Sequence, residues 1–126
     1  MTAYLDHAAT TPMRPEAVEA MLPFLTDRFG NPSGSHAVAR EARKALDEAR
    51  DVVAQCLGAR PSEVVFTGGG TEADNLAVIG RHGARPGPVV CTAIEHHAVL
   101  HGCRALPEVR MAPVHPDGVV DIDALA

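Results

Sequence analysis

Tryptophan is absent from this chain, tyrosine occurs once and phenylalanine three times, so aromatic residues make up 3% of 126. Single-stranded nucleic acid is held by stacking its bases on such side chains, and that surface cannot be built here. The core has to be aliphatic and rich in alanine. Basic residues are also scarce. Eleven Lys and Arg against sixteen Asp and Glu give a formal net charge of -5, and the cations are spread along the chain. Without a positive stripe, neither a nucleic acid nor an anionic membrane is expected as a partner. No run approaches the roughly 20 apolar residues of a membrane span. The start "MTAYLDHAATTP" lacks a basic stretch followed by an apolar one, so no export signal is read there. Cysteine occurs only at Cys56, Cys91 and Cys103. An odd, widely spaced set without C-x-x-C fits a reducing compartment, and a cytoplasmic location is expected.

What the chain does have is 46% hydrophobic content, enough for a single domain with a real core. After an extended start from Tyr4 to Thr11, Pro15 suits a first helical turn, and Val18, Met21, Leu22 and Leu25 follow at helical spacing. Pro23 should kink or shorten that helix. The turn-rich "FGNPSGSH", Phe29 to His36, is expected to end with Ser35 as an N-cap. Beyond it Val38, Ala42, Ala45, Leu46, Ala49, Val52, Val53 and Cys56 mark one face of a long helix closed by Gly58. Then come a short strand at Val64 to Thr67, a helix from Thr71 to about Arg81 and a strand at about Pro88 to Ala93. A helix from about His97 to Leu106 and a strand at about Val109 to Val114 complete the pattern. Helices alternating with short apolar strands signify α/β architecture, a mostly parallel sheet flanked by helices. The end, "HPDGVVDIDALA", makes a turn at Pro116 to Gly118 and offers Asp123 as an N-cap with three residues after it. A helix abandoned within its first turn gains nothing, so Ala126 reads as a cut.

The stretch "VVFTGGGTEADN" joins an apolar run to three glycines and a helix start. Glycines permit positive φ and close approach of a ligand, and the free amides and dipole of the following helix suit an anion. Thr71 can add a hydroxyl donor. No GK[ST] follows and no GxGxxG is present, so this is neither a Walker loop nor a dinucleotide fingerprint. A glycine turn with no ligand is the competing reading. In "TAIEHHAVLH", Glu95 and His96 fall just past a strand, where open parallel sheets present residues to a ligand. An imidazole there can stack on a flat ring and exchange protons near neutral pH. His97 and His101 are i,i+4 on a helix, but no carboxylate or cysteine completes a ligand spacing and His96 points elsewhere. No metal site is expected, and the pair reads as solvent-facing. Asp6, His7 and Asn31 read as turn or capping residues. Cys91 and Cys103 read as buried core residues; Cys103 beside Arg104 could be reactive only if both were exposed.

Four ordered segments, "YLDHAATTP", "FGNPSGSH", "VVFTGGGTEADNLA" and "IEHHAVL", together resemble the N-terminal signatures of cysteine desulfurases of the NifS/IscS type. These belong to the class V aminotransferase family of enzymes dependent on pyridoxal 5'-phosphate (PLP). The resemblance implies residues 1–13 as an N-terminal extended segment and 14–126 as the N-terminal part of the PLP-binding large domain of an aspartate aminotransferase-like fold, incomplete in this chain. It implies conversion of L-cysteine to L-alanine, with sulfur passed to an enzyme cysteine and on to an acceptor such as an iron–sulfur scaffold. By position, Gly70 and Thr71 would contact the PLP phosphate, Gly69 would shape the turn, and His96 would stack on the pyridine ring and assist proton transfer. The segment around His7, Ala8 and Thr10 would line the substrate mouth. Asn31 to His36 would lie near the active site of a dimer partner.

The family also requires a Schiff-base lysine, an aspartate at the pyridinium nitrogen and a mobile nucleophilic cysteine. The one lysine, Lys44, sits within "AREARKALDEAR" and reads as a solvated helix residue. The chain alone is therefore expected to be inactive and to work as a homodimer or with a complementing C-terminal chain. By the same resemblance, the Val64 to Thr67 strand would have no sheet neighbours. Two other readings compete: a fragment of a selenocysteine lyase or other class V enzyme, and a non-catalytic interaction module derived from this fold.

Overall fold

A computed structural model describes residues 3–125. They divide into two compact units that meet between Val65 and Phe66.

The first unit holds α1 (Pro15–Leu25) and α2 (Ala37–Leu57). The extended start is interrupted by a turn in which the Asp6 carbonyl accepts from the amides of Ala9 and Thr10. Proline opens α1, where its missing N–H costs nothing. Pro23 lies inside the helix, which ends two residues later as the Arg28 amide turns back to the Pro23 carbonyl at 2.8 Å. The N-cap of α2 is His36, not Ser35: the imidazole Nδ1 accepts from the Ala39 amide at 3.3 Å. A ring nitrogen one residue further on reaches the first helical turn, which a sequence rule built on hydroxyls and carboxamides overlooks. Gly58 ends α2 at φ 64°, the left-handed conformation foreseen for it.

The glycine-rich loop folds back onto α2. A Cβ on Gly30 would lie 2.8 Å from the Val38 carbonyl oxygen, and one on Gly34 2.8 Å from the Ala39 Cβ. This approach buries Ala39 completely. Along the expected apolar face of α2, Ala42, Ala45, Leu46 and Val53 are half-buried and Val38, Ala49, Val52 and Cys56 exposed, while the buried residues of the helix are Ala39 and Ala54. An apolar groove of about 520 Å³ stays open beside Met21, Phe24 and Leu46. Beyond α2, a 3-10 turn at Pro61–Glu63 is closed by Arg60, whose side chain and backbone amide hold the Glu63 carboxyl below its usual range.

The second unit contains α3 (Gly70–Asn75), a π-helical stretch at Leu76–Gly80, α4 (Arg81–Ala84), β1 (Val89–Thr92), α5 (His97–Arg104) and β2 (Val109–Ala112). The expected helix thus starts at Gly70 and runs helically to Ala84, with widened turns in its middle. β1 and β2 pair in parallel, Val89 opposite Val109 through Thr92 opposite Ala112. The core is a cluster of Cys91, Leu100 and Cys103, flanked by Val78, Val89, Val99 and Val109. Val64–Thr67 joins no strand, and the sheet holds β1 and β2 alone among the described residues. At the end of the chain, Gly118 turns at φ 86° and Val114 bridges Val120. Asp123 opens a 3-10 turn, Asp123–Leu125, whose cap is supplied by Asp121 accepting from the Ala124 amide.

Candidate functional site

Gly69, Gly70, Thr71 and His96 all fall in the second unit. The glycines do not turn the backbone as expected. Gly69 is extended at φ 165°, and the left-handed glycines are Gly58 and Gly118. Their contribution is space. A Cβ on Gly69 or Gly70 would meet nothing within 4 Å, so an anion can reach the backbone there.

The helix that follows leaves its first amides free, because an amide in the first turn has no carbonyl four residues back inside the helix. Gly69 already accepts from Ala73 at 3.1 Å, while the N–H groups of Gly70, Thr71 and Glu72 have no protein acceptor among the described residues. Gly68 differs. Its amide donates to the Glu72 carboxylate at 2.7 Å, which brings a negative charge to the edge of the anion cradle. Sequence reading missed this contact, although Glu72 four residues after Gly68 at a helix start was a usable signal. The Thr67 hydroxyl is also engaged, donating to the Gly69 carbonyl at 3.1 Å.

His96 stands four residues past the end of β1 and is the N-cap of α5. Its Nδ1 accepts from the Ala98 amide at 3.2 Å, which fixes the Nε2–H tautomer and leaves Nε2 for a ligand. Glu95 is held by the Thr92 hydroxyl at 2.8 Å and so is not free beside the imidazole. α5 packs on α3 and the π-helical stretch: a Cβ on Gly102 would lie 3.3 Å from Asn75 Oδ1 and 3.8 Å from Val78 Cγ1. Asn75 is tied in turn to the candidate anion site, its Nδ2 donating to the Thr71 carbonyl at 2.7 Å.

In the first unit, Tyr4 meets His7 edge to face at 5.2 Å. Asn31 Oδ1 accepts from the Ser33 amide at 2.9 Å, the turn role read from sequence. Lys44 is exposed and faces Glu48 at 3.6 Å. Cys91 and Cys103 are buried and Cys56 is exposed. Burial, then the hydrogen bond with Cys103, pushes the Cys91 thiol up to about 11, which makes it a poor nucleophile at neutral pH. Among the described residues no group of three or more His, Cys, Asp or Glu could hold a metal ion.

A parallel strand pair with helices packed beside it, and helix-start amides on α3 next to the helix that His96 caps, define an α/β domain. The aminotransferase class-V model matches residues 3–126, and the chain belongs to that family. It is 46% identical to the cysteine desulfurase IscS of Dictyoglomus turgidum, over 97% of this chain and 33% of the relative. It is 49% identical to an IscS-like cysteine desulfurase of Mycobacterium tuberculosis, over 98% of this chain and 34% of that one. Among solved structures it resembles a NifS-like protein with a TM-score of 0.84 at 34% identity, over 99% of this chain and 36% of the other. A NifS-like protein from Rickettsia africae superposes with a TM-score of 0.82 at 31% identity, over 97% of this chain and 34% of the other. The chain therefore spans about a third of the length of the relatives it matches. The family is PLP-dependent.

Proposed function

We propose that this chain is the N-terminal, phosphate-holding part of a PLP-dependent cysteine desulfurase, acting on L-cysteine only together with the portion that supplies a lysine and a mobile cysteine. The reading rests on one pairing within the second unit: free amides at Gly70 and Thr71 on a helix packed against the helix that His96 caps. The donor set fits a phosphate. Two backbone amides, the Thr71 hydroxyl and a cradle open to Cβ-sized atoms can surround an anion, and the Glu72 carboxylate is the one element that opposes it.

PLP, when bound, supplies an electron sink for bond cleavage next to the substrate nitrogen. The chain's own residues do the rest that falls to them. Gly70 and Thr71 would hold the phosphate, Gly69 would keep the turn clear, and His96 would stack on the ring, with Nε2 left to hold or move a proton. By the family resemblance, the segment around His7, Ala8 and Thr10 would serve the substrate mouth of the complete enzyme, and Asn31 to His36 the second active site of a dimer. Within the complete enzyme, sulfur leaves on the mobile cysteine toward an acceptor such as an iron–sulfur scaffold, in the cytoplasm. Lys44, in its pair with Glu48 on α2, is not the lysine that anchors the cofactor.

The test is to express the remaining two-thirds of a matched relative as a second chain and to measure alanine formed from L-cysteine. Alanine is expected from the two chains with PLP and from neither alone, with His96→Ala lowering the rate by about 100-fold. A purified two-chain complex that makes no alanine would sink the proposal. So would a lasting PLP absorbance band on this chain alone that persists in Lys44→Arg and survives dialysis, because it would require a covalent anchor the proposal denies.

A further inference from the structure

We propose that His97 and His101 form a two-imidazole chelate for a borderline divalent transition-metal cation on the exposed face of α5. The rings are stacked, with centroids 5.4 Å apart and planes 29° from parallel, and both residues are exposed. Residues four apart on a helix have Cβ atoms about 5–6 Å apart. Small rotations of two exposed side chains therefore bring both Nε2 atoms to one ion at the roughly 2.0–2.1 Å of an imidazole–zinc bond. Among the described residues no hydrogen bond or ion pair engages either ring, so the nitrogens are not committed elsewhere. His96 stands apart: its ring lies 6.2 Å from that of His97 at a tilt of 53°, and the His96 Nδ1 accepts from the Ala98 amide.

Local charge narrows the choice of ion. His97 opens α5, whose amide end is positive, and Arg104 follows His101 by three residues. Both oppose a cation, so the site draws its affinity from coordination bonds and not from Coulomb attraction. That favours Cu2+, then Ni2+ and Zn2+, over Mg2+ and Ca2+, which prefer carboxylate and carbonyl oxygens. No third His, Cys, Asp or Glu completes the set among the described residues, and water fills the remaining positions. The site stands independently of PLP binding and of the desulfurase reading.

Ni2+ titration of the chain in a Cys56→Ser background, which removes the exposed thiol as a competitor, tests the site. A single binding event is expected, with amide signals of residues 97–101 broadened first in proton–nitrogen correlation spectra. His97→Ala and His101→Ala should each weaken it by about tenfold or more, since the second imidazole binds intramolecularly. His82→Ala and His115→Ala should leave it unchanged, excess Mg2+ should not compete, and circular dichroism should show every variant folded. Equal Ni2+ affinity in the folded His97→Ala/His101→Ala double variant, broadening centred elsewhere, or none at residues 97–101 in millimolar Ni2+ would each overturn the proposal.

Discussion

Gly102 of α5 faces Asn75 of α3 so closely that an added Cβ would stand 3.3 Å from Asn75 Oδ1, and Asn75 cannot easily retreat because its Nδ2 is bonded to the Thr71 carbonyl at 2.7 Å. The contact ties the helix capped by His96 to the helix that starts at the candidate phosphate site. Gly102→Ala gains about 1 kcal/mol of helix propensity and meets an overpacking cost of about 1–3 kcal/mol. A net loss of about 1 kcal/mol is expected from urea unfolding. Gly83→Ala is the control: its Cβ meets nothing within 4 Å, so it should be stabilising by up to about 1 kcal/mol. Stabilisation by both would mean that the α3–α5 contact is looser than described.

Glu72 holds the Gly68 amide at the edge of the anion cradle. Glu72→Gln removes the charge and keeps an acceptor for that amide. Phosphate affinity, read by phosphorus NMR at low salt, should rise by roughly 2- to 5-fold, the scale of one exposed charge interaction. The gain should shrink as salt is added. An unchanged affinity would place the bound phosphate away from Gly68 to Thr71.

Gly58 caps α2 in the left-handed conformation with open space around its Cα. Gly58→Ala meets no clash, so its cost is conformational alone, about 1–2 kcal/mol. Gly58→Asn should lose less, since asparagine tolerates that region. Thermal melts of the two variants decide this, and equal losses would point to a different helix end.

Cys91 provides a pH test. Its folded value, raised from 9.0 to about 11 mainly by burial, lies above that of the unfolded chain. The neutral thiol is the form the fold retains, so its contribution to stability is complete below about pH 8.5 and is lost as pH rises through about 11. Urea midpoints should fall over that alkaline window, and Cys91→Ala should flatten the fall. At pH 8 a thiol reagent should modify Cys56 at once and reach Cys91 and Cys103 only in denaturant. Rapid modification of all three in native buffer would contradict the burial of the pair.

Much of the local structure could be read directly. α2 followed from the spacing of its apolar residues, Gly58 from the residue type that tolerates positive φ, and β1 and β2 from short apolar runs between turn formers. The misreadings share a physical origin. Ser35 lost the cap to His36 because a cap depends on which acceptor reaches the amide, not on residue class alone. The glycines of "TGGGT" offered both rotation and space, and only coordinates separate the two. Half of the expected face of α2, Val38, Ala49, Val52 and Cys56, stays bare because periodicity states what a helix can bury, while neighbours decide what it does bury.

By itself, the sequence determined the family, the alternation of helix and strand, and the residue types at the candidate site, since these depend on side-chain chemistry and spacing along one chain. Tertiary structure alone decided that Glu72 closes on Gly68, that Gly102 couples α5 to Asn75, and that His97 stacks on His101. Each of these is a distance or an angle between groups that rotate independently until packing or a backbone turn fixes them, and no residue pattern carries that information.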